Sequence, residues 1–458
     1  MTSDKQEAFY IWTSLIVVIV GTFMAILDSS IVNIAISKIM TVFQESVENA
    51  RWIITAYTLT LGAVIPLTGY LTDRFGTKKV YIFALSVFTI GSFLCGMAWN
   101  NSSMIFFRII QGLGGGMIMP VSMSIIFQMV PQNQRGLALG IWGIAAMAAP
   151  TIGPTLSGYI IEYFDWRLIF TINIPVGIVG TGLAFLLLRE SEKKEVKEFD
   201  WIGFISSTVG IVSILYLLGE GSTIDWQDIK NIILLIVGIY SLVIFVFNEL
   251  THPSPLLDLR ILKIFPFSLS IVISSMLNMA MFGVVFIIPL FLQNLRGYTP
   301  MQTGLIMLPS AVATGIMMPI GGRLFDKIGA RPLVVPGVIL LAFTTFQLSK
   351  LSLDTPTSII TFYLVLRGMS LGLTMMPSTT AGMNSVPQNL VSRATALTNT
   401  IRQLSGSLSI TILTSIMQNT QNLKYAEYAS QSTLFNNVTV QFLNGLKGLF
   451  MSQGFTVD

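Results

Sequence analysis

Asp28 is the only charged side chain in a run of 26 residues, 11–36, that is otherwise apolar or weakly polar. Roughly 20 apolar residues suffice to cross a bilayer. A carboxylate at that depth costs about 2.5–3.5 kcal/mol on insertion scales, so it is rarely kept without a use. Its natural chemistry is to bind and release a proton, because burial favours a protonated acid and a neighbouring cation favours the carboxylate. The competing role is a structural acid, hydrogen-bonded to Asn33 or to a neighbouring helix. Arg108 is the matching cation, either set against such an acid or snorkelling from a span end. Arg367 is its counterpart further along, where no acid is visible at depth. Arg402 and Gln403 form another polar pair, suited to lining a pocket or to bonding between helices. Asn33, Gln111 and Asn278 complete the candidate cavity residues.

These side chains must be held by membrane helices. Of the 458 residues, 53% are hydrophobic and only 10% charged, against about 25% charged in soluble domains. Thirteen apolar runs follow, at 11–36, 50–70, 79–99, 103–130, 136–161, 167–188, 201–219, 230–249, 267–292, 302–322, 332–350, 358–382 and 394–418. The first run is too long for a signal-peptide core and reads as a retained span. The net charge of +4 comes from loops between spans, so it marks topology and not nucleic acid. With the N-terminus inside, fifteen Lys and Arg lie on the cytoplasmic side and eight on the other, which sets that orientation.

The chain repeats itself. Gly69-Tyr-Leu-Thr-Asp73-Arg74-Phe-Gly76 is echoed by Gly322-Arg-Leu-Phe-Asp326-Lys-Ile-Gly329, Arg108 by Arg367, and Val130-Pro-Gln-Asn133 by Val386-Pro-Gln-Asn389. Three matches in one order, at nearly one offset, imply two homologous bundles. The organisation expected is an all-α polytopic membrane protein. Residues 1–190 form a six-helix bundle, 191–254 a charged cytoplasmic linker with two inserted helices, and 255–458 a second bundle. Only five helices are visible in that second bundle, followed by a polar tail. An odd span count would leave the C-terminus outside, so a fourteenth helix is expected to be missing from this chain.

Two further features concern the helices themselves. Pro150, Gly153, Pro154 and Gly158 fall in the fifth span, where a proline removes a backbone donor and kinks a helix. They mark either a flexible, closely packed face or a plain packing kink. Gly112, Gly114, Gly115 and Gly116 lack the Lys-Ser/Thr of a phosphate loop and read as a helix-packing face.

The motifs resemble those of the major facilitator superfamily, in its fourteen-helix drug:proton antiporter branch. Leu27-Asp28-Ser-Ser-Ile-Val-Asn33 resembles the first-helix motif, and Gly69 to Lys79 the loop signature. Arg108-Ile-Ile-Gln111-Gly112-Leu-Gly114 resembles the fourth-helix motif. Pro150-Thr-Ile-Gly153-Pro154-Thr-Leu-Ser157-Gly158 is similar to the antiporter motif of helix five. Trp166-Arg167-Leu-Ile-Phe170-Thr-Ile-Asn173-Ile-Pro175 also looks like this branch. The resemblance implies proton coupling at Asp28 with Arg108, and a gating role for the loop of Gly69, Asp73, Arg74, Gly76 and Lys78. It implies a carrier in the bacterial plasma membrane that exchanges protons for small amphiphilic or cationic molecules.

Other classes fare worse. His252 and Cys95 are the lone histidine and cysteine, so multi-His metal sites, cysteine zinc sites and intrachain disulfides are excluded. No acid pair at depth and no Ser/His arrangement suggests an enzyme, no nucleotide motif suggests ATP-driven pumping, and no cofactor is implied. The expected partners are substrate, protons and lipid, with the protein acting as a monomer. The alternatives are an exporter of one physiological lipid or fatty acid, and a transporter-fold sensor.

Overall fold

The computed structural model describes residues 3–193, 198–221, 224–431 and 437–452. Among them there are helices and no strands. In order these are α1 (Ser3–Phe43), α2 (Val47–Val64), α3 (Leu67–Phe75), α4 (Thr77–Gly96), α5 (Asn101–Met129), α6 (Arg135–Tyr163), α7 (Leu168–Thr171) and α8 (Asn173–Leu187). They continue as α9 (Trp201–Glu220), α10 (Ile229–Thr251), α11 (Phe265–Leu290), α12 (Pro300–Ile328), α13 (Arg331–Leu348), α14 (Thr357–Asn384), α15 (Val391–Gln431) and α16 (Asn437–Ser452). Parts of the charged linker, 194–197, and of the tail, 432–436 and 453–458, fall outside the described residues.

Ten helices are long and apolar enough to cross a membrane, and twelve spans result if two bent pairs each count once. One pair is α2 with α3, which meet at 54°; Pro66 follows α2 and has no N–H to continue its ladder. The other is α6, whose parts before Pro150 and after Thr155 meet at 42°. The thirteenth expected span differs. Residues 394–418 are helical within α15 but are not apolar enough to join the other twelve. The reason is its surroundings: α15 packs on α11, α5 and α3, and the Asn399 amide and the Ser409 and Thr411 hydroxyls donate to acceptors on neighbouring helices.

Local features recur at the matching positions of the sequence repeat. A short 3-10 turn, Gln132–Gln134 after Pro131 and Gln388–Leu390 after Pro387, precedes α6 and α15 alike. Gly76 and Gly329 both take positive φ, 91° and 82°, which only glycine adopts at little cost. The halves meet chiefly through α6 with α12 and α15 with α5 and α3. Between them in sequence, α9 and α10 form a hairpin with α9 against α2 and α15, while most of α10 faces outward.

Candidate functional site

The Asp28 carboxylate is fully enclosed, and three helices converge on it. Its Oδ2 lies 2.6 Å from Arg108 Nη1 on α5. Its Oδ1 accepts from Gln111 Nε2, also on α5, at 2.8 Å, and from Asn173 Nδ2 on α8 at 2.9 Å. Arg108 and Gln111 are three residues apart and so share one helix face. Gln111 also holds Arg108, accepting from Nη1 at 2.6 Å, and donates to Ser92 Oγ on α4 at 2.7 Å. Gly91 makes that reach possible: a Cβ there would sit 2.5 Å from Gln111 Cα. The Arg108 guanidinium lies 3.8 Å from the centre of the Tyr57 ring, a cation–π contact on a desolvated charge. Asp28 thus accepts three side-chain hydrogen bonds.

The bend of α6 is seated on the turn of α1 that follows Asp28. Ser30 Oγ donates to Pro150 O at 3.3 Å, and Ser157 Oγ donates to Ile31 O at 2.9 Å. A Cβ on Gly153 would come within 2.4 Å of Ser30 Oγ, so only glycine fits there. Gly158 was expected to share this close face but does not: a Cβ there would meet nothing within 4 Å. It follows Ser157 by one residue, and the roughly 100° turn per residue carries it off the α1 contact.

A second cluster closes the end of the molecule that carries the loop of Asp73. Buried Asp73 Oδ2 accepts from Arg393 Nε of α15 at 3.1 Å, across the seam between halves. A Cβ on Gly69 would lie 3.2 Å from Arg393 Cα, so α3 and α15 touch backbone to backbone. The repeat mate of Asp73 does the mirrored job. Asp326, at the end of α12, accepts from the backbone N–H groups of Gly136 and Leu137, both at 2.9 Å. Those are orphan donors at the start of α6, where negative charge is favoured. Beside this contact, a Cβ on Gly322 would fall 2.0 Å from Gly136 O. Arg135 adds a bond to Asn384 Oδ1 at 2.9 Å, and Ser124 and Ser392 hydroxyls meet at 3.1 Å.

The family model described as the Major Facilitator Superfamily matches residues 18–410. The chain belongs to the major facilitator superfamily. It is 39% identical over 458 residues, all of this chain and 86% of the relative, to the uncharacterized MFS-type transporter YhcA of Bacillus subtilis (strain 168). It is 31% identical to the multidrug export protein EmrB of Escherichia coli (strain K12), over 94% of this chain and 85% of that one. Among solved structures, the proton:xylose symporter XylE of E. coli superposes with a TM-score of 0.62 at 16% identity, over 98% of this chain and 96% of that one; this likeness shows the fold. The chain is thus a multi-pass membrane transporter of this superfamily, whose family and fold are not those of enzymes.

Within the superfamily fold, the candidate residues separate into groups. Asp28, Arg108 and Gln111 come together, and Gln111 is fully buried against Asp28. Asn33 is exposed, outside the Asp28 cluster. Asn278 Nδ2 donates to Arg402 O at 2.9 Å, while Gln403 is half-buried. In the loop, Gly69 and Asp73 reach α15. Arg74 is exposed and donates to Tyr70 Oη at 2.5 Å, and Lys78 lies over Phe185. Gly76 serves the turn, and Lys78 N donates to Glu190 Oε1 at 3.1 Å.

The sequence reading passed over Asn173, Ser92 and Tyr57 as partners at the Asp28 site. Asn173 had a signal, as a lone amide in an apolar run. It also passed over Glu249, which is fully buried at the end of α10 and accepts from Leu257 N at 3.0 Å, beside buried Asp200. A span-end acid before a Pro-rich loop reads as a surface residue.

Proposed function

We propose that this transporter exports small amphiphilic molecules in exchange for protons, with Asp28 as the proton carrier. The observation that carries the reading is the enclosed Asp28–Arg108 pair, 2.6 Å apart. A proton added to Asp28 would cancel the ion pair and leave the Arg108 charge buried without a partner. Breaking such a pair costs about 3–5 kcal/mol, enough to shift the packing of α1, α5 and α8 around it. The bend of α6 stands directly on α1, so a change at Asp28 reaches the seam between halves through Ser30 and Ser157.

In this proposal the bundles at 1–190 and 255–458 rock about a central cavity, with the hairpin region 191–254 beside them. The N-terminus and the Asp73 loop face the cytoplasm, in the plasma membrane of a bacterium. The Asp73–Arg393 and Asp326–α6 contacts are then two latches that close the cytoplasmic side. Arg74 and Lys78, which reach neither latch, keep the role of topology signals. The name of EmrB, a multidrug export protein, supports export of several compounds. The transporter acts as a monomer.

The test is transport in proteoliposomes under an imposed pH gradient, comparing the native chain with Asp28→Asn. The substitution is nearly isosteric and removes only the titratable group. Loss of gradient-driven flux with retained substrate binding is the expected result. Normal flux in the variant would end the coupling assignment.

A further inference from the structure

The second half holds two arginines at depth with no carboxylate to match. Arg367 on α14 is 4% exposed; its Nη2 donates to Ala280 O, and its Nε has no hydrogen-bond partner. Arg402 on α15 is half-buried, and among the described residues its guanidinium makes no hydrogen bond or ion pair. It lines a narrow cavity with Ile271, Ser274, Ser275, Thr398 and Ile401. One turn before it, Asn399 Nδ2 donates to Met123 Sδ of α5 at 3.3 Å. The Arg402 cavity therefore sits beside the seam between halves, where alternating access must open.

No acid is placed to neutralise these charges. Between residues 265 and 425 the only acids are Asp326 and Asp354. Asp326 is engaged at the start of α6, and Asp354 is exposed in the connection before α14. Asp28 is enclosed and already paired with Arg108. The buried acids Asp73, Asp200, Glu249 and Asp258 lie at the Arg393 end, and α15 rises about 13 Å between Arg393 and Arg402. At depth, Arg108 is balanced by Asp28, and Arg367 and Arg402 are in excess. A charge held at depth without a counter-ion is costly to keep, and an anion supplied from outside would match the unpaired Arg402.

We infer that Arg402, flanked by Ser274 and Ser275, is the anion-binding part of the substrate site, and that the substrates are amphiphiles bearing a carboxylate or similar oxyanion. This rests on the export reading for calling the occupant a substrate. A guanidinium fork matches an oxyanion with two parallel hydrogen bonds, the serine hydroxyls can donate further ones, and Ile271 and Ile401 make part of the remaining lining apolar. The unmatched positive charge of Arg402 disfavours a cation in the same space.

The experiment is equilibrium binding, with no pH gradient, to the full chain in nanodiscs. Three probes share one fluorophore: 11-(dansylamino)undecanoic acid, its methyl ester, and dansylcadaverine as the cation. The acid should bind at least tenfold more tightly than the ester or the amine. Arg402→Gln should erase that preference while leaving ester binding within about twofold, and Arg402→Lys should keep part of it. The lysine variant guards against a loss caused by misfolding. Equal or tighter binding of the amine, failure of the acid to bind, or an acid preference that survives in Arg402→Gln would overturn the inference. Since no proton flux is measured, these outcomes are independent of whether Asp28 couples transport.

Discussion

Asp28 and Arg108 form a one-to-one ion pair sealed from solvent, with Oδ2 and Nη1 2.6 Å apart and neither side chain more than 1% exposed. Removing one member of a buried pair strands the other charge. Arg108→Gln should therefore lower stability by about 3–5 kcal/mol, seen as a reduced Tm in detergent and reduced monodisperse yield. The double change Asp28→Asn with Arg108→Gln should recover much of that stability yet remain inactive in gradient-driven transport. A double variant no more stable than Arg108→Gln would show that the pair is not the dominant interaction.

Asn173 should matter almost as much as the residues that announce themselves in the sequence. Its amide donates to Asp28 Oδ1 at 2.9 Å, and hydrogen bonds to charged groups contribute about 1.5–3 kcal/mol. Asn173→Leu should lower Tm and impair transport, whereas Asn33→Leu, at an exposed position outside this cluster, should leave Tm unchanged. Thermal unfolding of the two purified variants side by side decides it.

Asp73 and Arg393 are 320 residues apart in sequence and 3.1 Å apart in space. Asp73→Asn and Arg393→Gln should each open the Asp73 end of the protein and slow turnover more than they weaken binding. Their effects should be non-additive in a double-mutant cycle. The native Cys95 is buried, so single cysteines introduced on the 384–390 loop report accessibility over a low background, and an impermeant thiol reagent in intact cells also tests the proposed orientation. A large affinity loss with unchanged labelling would argue for a direct role in binding.

The Gly136–Gly322 crossing tolerates no side chain, because a Cβ on Gly322 would lie 2.0 Å from a backbone oxygen. Gly322→Val should cost about 1–3 kcal/mol and raise labelling at the Asp73 end, since α6 and α12 can no longer close there. Gly158→Ala, with open space around it, should leave both Tm and labelling near native values. A silent Gly322→Val would mean that this contact is not needed to shut that end.

Much was legible because membrane burial writes itself into local sequence. A carboxylate costs enough at depth that Asp28 stood out from its own run of 26 residues, and the repeat of the Asp73 and Asp326 loops pointed to two related halves. Twelve of the thirteen expected spans are long and apolar enough by composition. The thirteenth, inside α15, is helical but polar because protein packs around it. That is a property of its neighbours, which no window on one segment can report.

What the sequence by itself determined was the set of spans, the repeat, and the one carboxylate that must be used or paired. Only the tertiary structure decided the pairings. Arg108 near a span end could equally have snorkelled, and its role was fixed by α1 arriving alongside α5. Gly153 and Gly158 look alike in the chain, yet only Gly153 meets α1. Asp73 finds Arg393, and Arg402 finds no acid, because helices distant in sequence are brought side by side. Local cost depends on a residue and its immediate run, whereas electrostatic pairing depends on distances that exist only once the helices have packed.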